Sequence, residues 1–116
     1  MSSASIFRRI ALAMQDAVEG AHMGHPDFRV HNRIFASLHT QDRFGMVKLT
    51  PDQQKELIRQ YPAAFSPEAG AWGRAGCTRV TLSAVDEDPL GEAMTLAWQN
   101  LANAKSKPAK PRKRAG

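Results

Sequence analysis

A chain of 116 residues holds one domain with a short appendage, and its longest apolar stretches fall far short of the ~18–20 residues that a membrane helix needs. The formal net charge of +5 is unevenly placed: residues 104–116 carry six bases and no acid, while residues 1–103 carry the other ten bases against all eleven acids, a balance of −1. The single cysteine, Cys77, excludes an internal disulfide, and Met1-Ser2-Ser3-Ala4-Ser5 lacks the basic start and apolar run of a signal peptide, so a cytoplasmic protein is expected.

Helical spacing opens the chain. Ile6, Ile10, Ala13 and Ala17 recur on one stripe, widened by Phe7, Met14 and Val18. Ser3 or Ser5 can cap the start and Gly20 can close the end, so a helix is predicted over 5–18. The cluster Gly24-His25-Pro26-Asp27-Phe28-Arg29 fits no helix interior. It leads into strands at 28–31 and 34–39, with His31-Asn32-Arg33 as a tight turn between them. In the second strand Ile34, Ala36 and Leu38 share one face, and Phe35, Ser37 and His39 the other. A further hairpin runs through residues 40–45 into a strand at 46–49.

Thr50-Pro51-Asp52-Gln53 is a strong helix start: threonine caps, proline takes the first helical position, and Gln53 completes a capping box. Pro62 ends that helix, and residues 63–65 read as a short strand. Residues 67–76, holding the cluster Ala71-Trp72-Gly73-Arg74-Ala75-Gly76, read as loop. A strand is predicted over 77–83, with Val80 and Leu82 inward and Arg79 and Thr81 outward. Asp88-Pro89 starts a third helix, which aligns Leu90, Met94, Ala97, Trp98 and Leu101 on one face.

The resulting order, α-β-β-β-α-β-β-α, predicts an α+β domain over 1–103. Three helices cannot cover both faces of a small sheet. A two-layer α/β sandwich is therefore expected, with a mainly antiparallel five-stranded sheet and the helices on one face. The other face is left at least partly exposed, as a candidate contact surface. Residues 104–116, with prolines at 108 and 111 and nothing apolar larger than alanine, cannot bury enough surface to order themselves.

The helix-one run Arg9-Ile-Ala-Leu-Ala-Met14, then Gly24-His25-Pro26-Asp27-Phe28-Arg29-Val30, Ile34-Phe35-Ala36-Ser37-Leu38, Trp72-Gly73-Arg74-Ala75-Gly76, Thr78-Arg79-Val80 and Asp86-Glu87-Asp88 together resemble the MmcQ/YjbR family of small bacterial proteins. The resemblance spans roughly residues 5–102. It implies a two-layer α/β sandwich and, through likeness to a double-wing transcription-factor domain, a DNA-binding or DNA-associated regulatory role. Fold likeness does not fix function.

The residues themselves leave two classes open. A nucleic-acid binder would use Arg29, Arg33, Arg74 and Arg79 with the tail bases Lys105, Lys107, Lys110, Arg112, Lys113 and Arg114, in weak, salt-dependent contact with phosphates. An interaction or small-ligand module would use the exposed sheet face and Trp72, whose ring could stack on a base or another ring. Against a binding role, Trp72 is expected to plug the edge of the core near Phe28, with Arg74 turned to solvent or to Asp27. Trp98 is expected in the core. His22, His25 and Asp27 lie close in sequence, but Gly24 and Pro26 oppose the helix that would align the histidines as metal ligands, so no metal or cofactor is expected. His25 and Asp27 are instead expected to fix the turn into the first strand. Cys77 reads as a small buried residue. Glu19, Asp27 and Glu68 form no carboxylate pair legible in sequence, and no nucleophile or phosphate-loop motif occurs, so no enzyme activity is expected.

Overall fold

A computed structural model describes residues 1–39, 41 and 43–106, with side chains through Asn103. The basic tail from Lys107 onward, and the side chain of Lys105, lie outside the described residues.

Helix α1 (Ala4–Ala13) starts at Ser3, whose hydroxyl accepts the Ile6 N–H at 3.3 Å. It ends well short of Val18. Met14 is already extended, Asp16 turns the chain at φ 62°, and Val18–His22 forms strand β1. The helix expected to reach 18 and close at Gly20 is thus corrected: Gly20 lies within a strand. β1 is an edge strand with almost no burial on either face, so no alternation marks it in the sequence.

Two tight hairpins follow. Met23-Gly24, with φ of 53° and 81°, joins β1 to β2 (His25–Val30). His31-Asn32, with φ of 54° and 67°, joins β2 to β3 (Arg33–His39). Two central residues at positive φ match the natural twist of the paired strands. Strand β4 (Phe44–Lys48) then leads to α2 (Pro51–Gln60), where the expected capping box forms: Gln53 N–H donates to Thr50 Oγ1 and Thr50 N–H to Gln53 Oε1.

Beyond α2 come β5 (Phe65–Pro67), α3 (Gly70–Arg74), β6 (Cys77–Thr81), a 3-10 turn at Leu82–Ala84, and α4 (Glu87–Ser106). The strand expected over 77–83 therefore ends at Thr81. All pairings are antiparallel, in the order β1-β2-β3-β4-β6-β5. Among the described residues the sheet has six strands rather than five, and the domain has four α-helices rather than three.

One face of the sheet carries the core. Phe28 and Val30 of β2, Phe35 and Leu38 of β3, Val47 of β4 and Val80 of β6 are fully buried with Phe7 and Ala11 of α1 and Leu90, Met94 and Ala97 of α4. Helix α4 crosses β3 and β4 and packs on α1. Trp98 packs half-buried against this core, its indole N–H donating to Gln15 O at 2.9 Å. No described helix is long and apolar enough to cross a membrane.

Candidate functional site

The opposite face of the sheet is set by alternation, interrupted once. A bulge opposite Phe28 and Arg29 leaves Phe35 in the core with Ala36 and Leu38 and turns Ile34 to the open face with Ser37 and His39, the reverse of what the sequence spacing predicts for Phe35 and Ile34. His25 and Asp27 of β2, Ser37 and His39 of β3, Phe44, Met46 and Lys48 of β4, and Cys77 and Arg79 of β6 point away from the core. They floor a hollow of about 660 Å³. His22 and Met23 bound it from the β1–β2 hairpin, and Glu68, Ala69 and Trp72 from the segment between β5 and β6.

Trp72 is held there by an unusual piece of chain. Helix α3 has five residues, two of them glycine, so its intrinsic propensity is poor. Tertiary contacts define it. Gln54 of α2, 9 % exposed, donates from Nε2 to Gly73 O (3.0 Å), Cys77 O (3.1 Å) and Thr78 Oγ1 (3.1 Å). Gly73 packs so close to the Glu68 carbonyl that a β-carbon there would lie 1.8 Å from its oxygen. The indole projects outward and is 70 % exposed.

This corrects the expectation that Trp72 plugs the core beside Phe28. Phe28 is fully buried on the helix side of the sheet, whereas Trp72 stands on the open side. What joins the two clusters is the hollow, through His25 and Asp27. Trp72→Ala is accordingly expected to change unfolding free energy by no more than about 0.5 kcal/mol. A loss of about 3–5 kcal/mol in urea melts would return the ring to the core.

The charges of the hollow are mostly paired. Asp27, 1 % exposed, accepts two bonds from Arg29, at 2.8 Å from Nε and 3.1 Å from Nη2. That hydrogen bond and the carboxylate's charge raise the guanidinium above its ordinary range. Asp27 thus binds Arg29, not the turn it was expected to fix, and Arg74 stands exposed and does not meet it. Glu68 pairs with Arg79 at 3.3 Å, and the Arg79 guanidinium lies 5.1 Å from the centre of the Phe44 ring. Glu19 pairs with Arg8 on the other side of the sheet. Lys48 makes no ion pair among the described residues.

Two histidines meet at the hollow. The His25 and His39 rings lie 4.8 Å apart and tilted at 47°, and Ser37 Oγ hydrogen-bonds His39 Nε2. Burial, reinforced by His25 and Arg79 and opposed by Glu68, lowers the pKa of His39. Unfolded His39 takes its proton near the ordinary value of about 6.5, folded His39 only at lower pH. Its contribution to stability is therefore complete above the unfolded value and is lost as pH falls through the folded one. Urea midpoints should decline as pH falls below the ordinary histidine value of about 6.5, and His39→Gln should flatten that decline. An unchanged slope in the variant would assign the effect elsewhere.

Cys77 is buried, and burial raises its thiol pKa, which disfavours the nucleophilic thiolate. Among the described residues no group of three ligands is placed to hold a metal. Of the residues singled out from sequence, Trp72 and Arg79 line the hollow and Arg29 braces it through Asp27. Arg33, beside the β2–β3 turn, and Arg74 are exposed and do not line it. Lys107, Lys110, Arg112, Lys113 and Arg114 fall outside the described residues, as does the Lys105 side chain. Sequence reasoning overlooked Ser37, His39, Met46 and Lys48 as site residues. Their signal was the two-residue alternation of β3 and β4 on the uncovered face.

A six-stranded antiparallel sheet with its main helices on one side and a hollow on the other defines the class: an α+β two-layer domain. The chain belongs to the YjbR family, whose model matches residues 12–100. Among solved structures it is similar to a Deinococcus radiodurans protein with a DUF419 family domain, known from its crystal structure. That similarity has a TM-score of 0.78 at 18 % identity and covers 100 % of this chain and 94 % of the other, which establishes the shared fold. No curated protein matches the chain.

Proposed function

We propose that this protein is a cytoplasmic binding module without enzymatic activity, and that the hollow on its open sheet face takes a small ligand. The observation that carries this reading is the hollow itself, about 660 Å³ with the exposed Trp72 at its wall. Ligand sites are concave, largely apolar and of roughly 300–1,000 Å³. Ile34, Phe44, Met46 and Trp72 supply the apolar surface. A binding role fits the chemistry better than catalysis does. Ser37 meets His39, but among the described residues no carboxylate bonds the histidine to orient it as a base. The test is titration with phenylnaphthylamine, an uncharged dye that fluoresces on entering apolar sites. Saturation at one dye per chain, weakened in Trp72→Ala, is expected; no saturable binding would remove the reading.

A second reading rests on the tail. Its six bases against a body of −1 favour contact with nucleic-acid phosphates, in keeping with the DNA association implied by family resemblance. Among the described residues five of the ten body arginines and lysines are engaged by carboxylates, which reduces what the body offers to phosphates and supports a contribution from the tail. If all six tail charges met phosphates, the log–log salt slope on duplex DNA would be about −5. Replacing the six by glutamine in the full chain should flatten it strongly. Equal affinity and slope in the two proteins would place any DNA site on the folded body instead.

A further inference from the structure

We infer that the hollow takes a planar aromatic compound bearing an anionic group, its ring laid against Trp72 and its anion met by Lys48. This rests on the ligand-binding reading above and adds the ligand's chemistry.

Among the described residues two carboxylates line the hollow, Asp27 and Glu68, and each is already bound by an arginine. Neither is free to receive a cation. The same pairs neutralise Arg29 and Arg79. That leaves the Lys48 ammonium as the unpaired arginine or lysine charge among the described residues of the lining. A ligand that completes this site is anionic.

Position and shape supply the rest. Lys48 is the cross-strand partner of Cys77, and α3 ends at Arg74, three residues before that cysteine. Indole and ammonium therefore belong to the same end of the hollow, within reach of one compact molecule. The exposed indole offers a flat face, and Met46 and Phe44 continue the apolar surface along β4. A ring stacks on such a wall without needing hydrogen bonds from it. A cation is disfavoured by the absence of a free carboxylate, and a bound metal by the absence of a three-ligand group among the described residues.

The experiment compares two probes on the full chain: anilinonaphthalene sulfonate, and phenylnaphthylamine, which has the same rings without the sulfonate. Wild type is expected to bind the sulfonate more tightly. Lys48→Met should weaken the sulfonate about tenfold, the scale of one charge-assisted hydrogen bond, while leaving the neutral dye within about twofold. Lys48→Arg should restore the sulfonate, which separates lost charge from lost folding. Trp72→Ala should weaken both dyes. If Lys48→Met leaves the sulfonate unchanged while Trp72→Ala still weakens the neutral dye, the anion preference is overturned and the ligand site stands. If Trp72→Ala affects neither dye, both the inference and the reading beneath it fall.

Discussion

Gly76→Ala is expected to destabilise the domain by about 3 kcal/mol or more, a fall in melting temperature on the order of 10 °C. Two costs coincide at this residue. Its φ of 115° lies where side chains other than glycine's are strained, which accounts for about 1–3 kcal/mol. A β-carbon there would also stand 1.9 Å from Leu49 O and 2.8 Å from Leu49 C. These are backbone atoms, so the clash cannot be relieved by a rotamer change and adds at least the cost of overpacking, about 1–3 kcal/mol. The junction is pinned on both sides. Leu49 N–H donates to Gly76 O at 3.2 Å, Gly76 N–H to Gly73 O at 3.1 Å, and Thr78 Oγ1 to Gly76 O at 2.8 Å. Relaxation would therefore displace both α3 and the Thr50 cap of α2. Gly70→Ala is the control. Gly70 also has positive φ, 67°, but open space where its β-carbon would go, so it should lose only the conformational part. Equal denaturant midpoints for the two variants would show that close approach to Leu49 contributes nothing.

The same residue explains what could and could not be read in the sequence. Gly76 is recognisable as a glycine after a loop, but its contact with Leu49, twenty-seven positions earlier, is tertiary. Elements with local signals were legible. The Thr50 capping box, the His31-Asn32 turn and the apolar stripe from Leu90 to Ala97 were all visible because neighbouring residues dictate them. β1 was not visible, since an edge strand exposed on both faces has no hydrophobic period, and Ala17 and Val18 fall by accident on the stripe of α1. Helix α3 was not visible because Gln54, distant in sequence, holds it. The candidate site shared both fates. The open face followed from the ratio of helices to sheet, but the outward turn of Trp72 did not. Large aromatics usually bury their area, and only the hollow beside this one shows why it stays exposed.

Arg29→Ala is expected to cost about 2–3 kcal/mol, more than the loss of one half-exposed side chain would suggest. The reason lies with its partner. Asp27 sits in the second strand of the sheet, between Gly20 of β1 and Ser37 of β3, and is 1 % exposed. Both carboxylate oxygens are bound by Arg29. Removing the guanidinium leaves a buried charge with no cation, a change that costs about 3–5 kcal/mol when the pair is fully enclosed. The expected loss is smaller in this protein because the Arg29 side chain is 33 % exposed and water can enter the space it leaves. The reverse substitution is milder. In Asp27→Asn the guanidinium keeps an amide oxygen to bond and has solvent beside it, so about 1 kcal/mol is expected. The decisive measurement is the double variant, Asp27→Asn with Arg29→Ala. With no buried charge left to compensate, it should be more stable than Arg29→Ala alone, a coupling that a double-mutant cycle reads directly. If the two single losses simply add, the pair is not coupled, and burial of Asp27 is then satisfied by something other than Arg29.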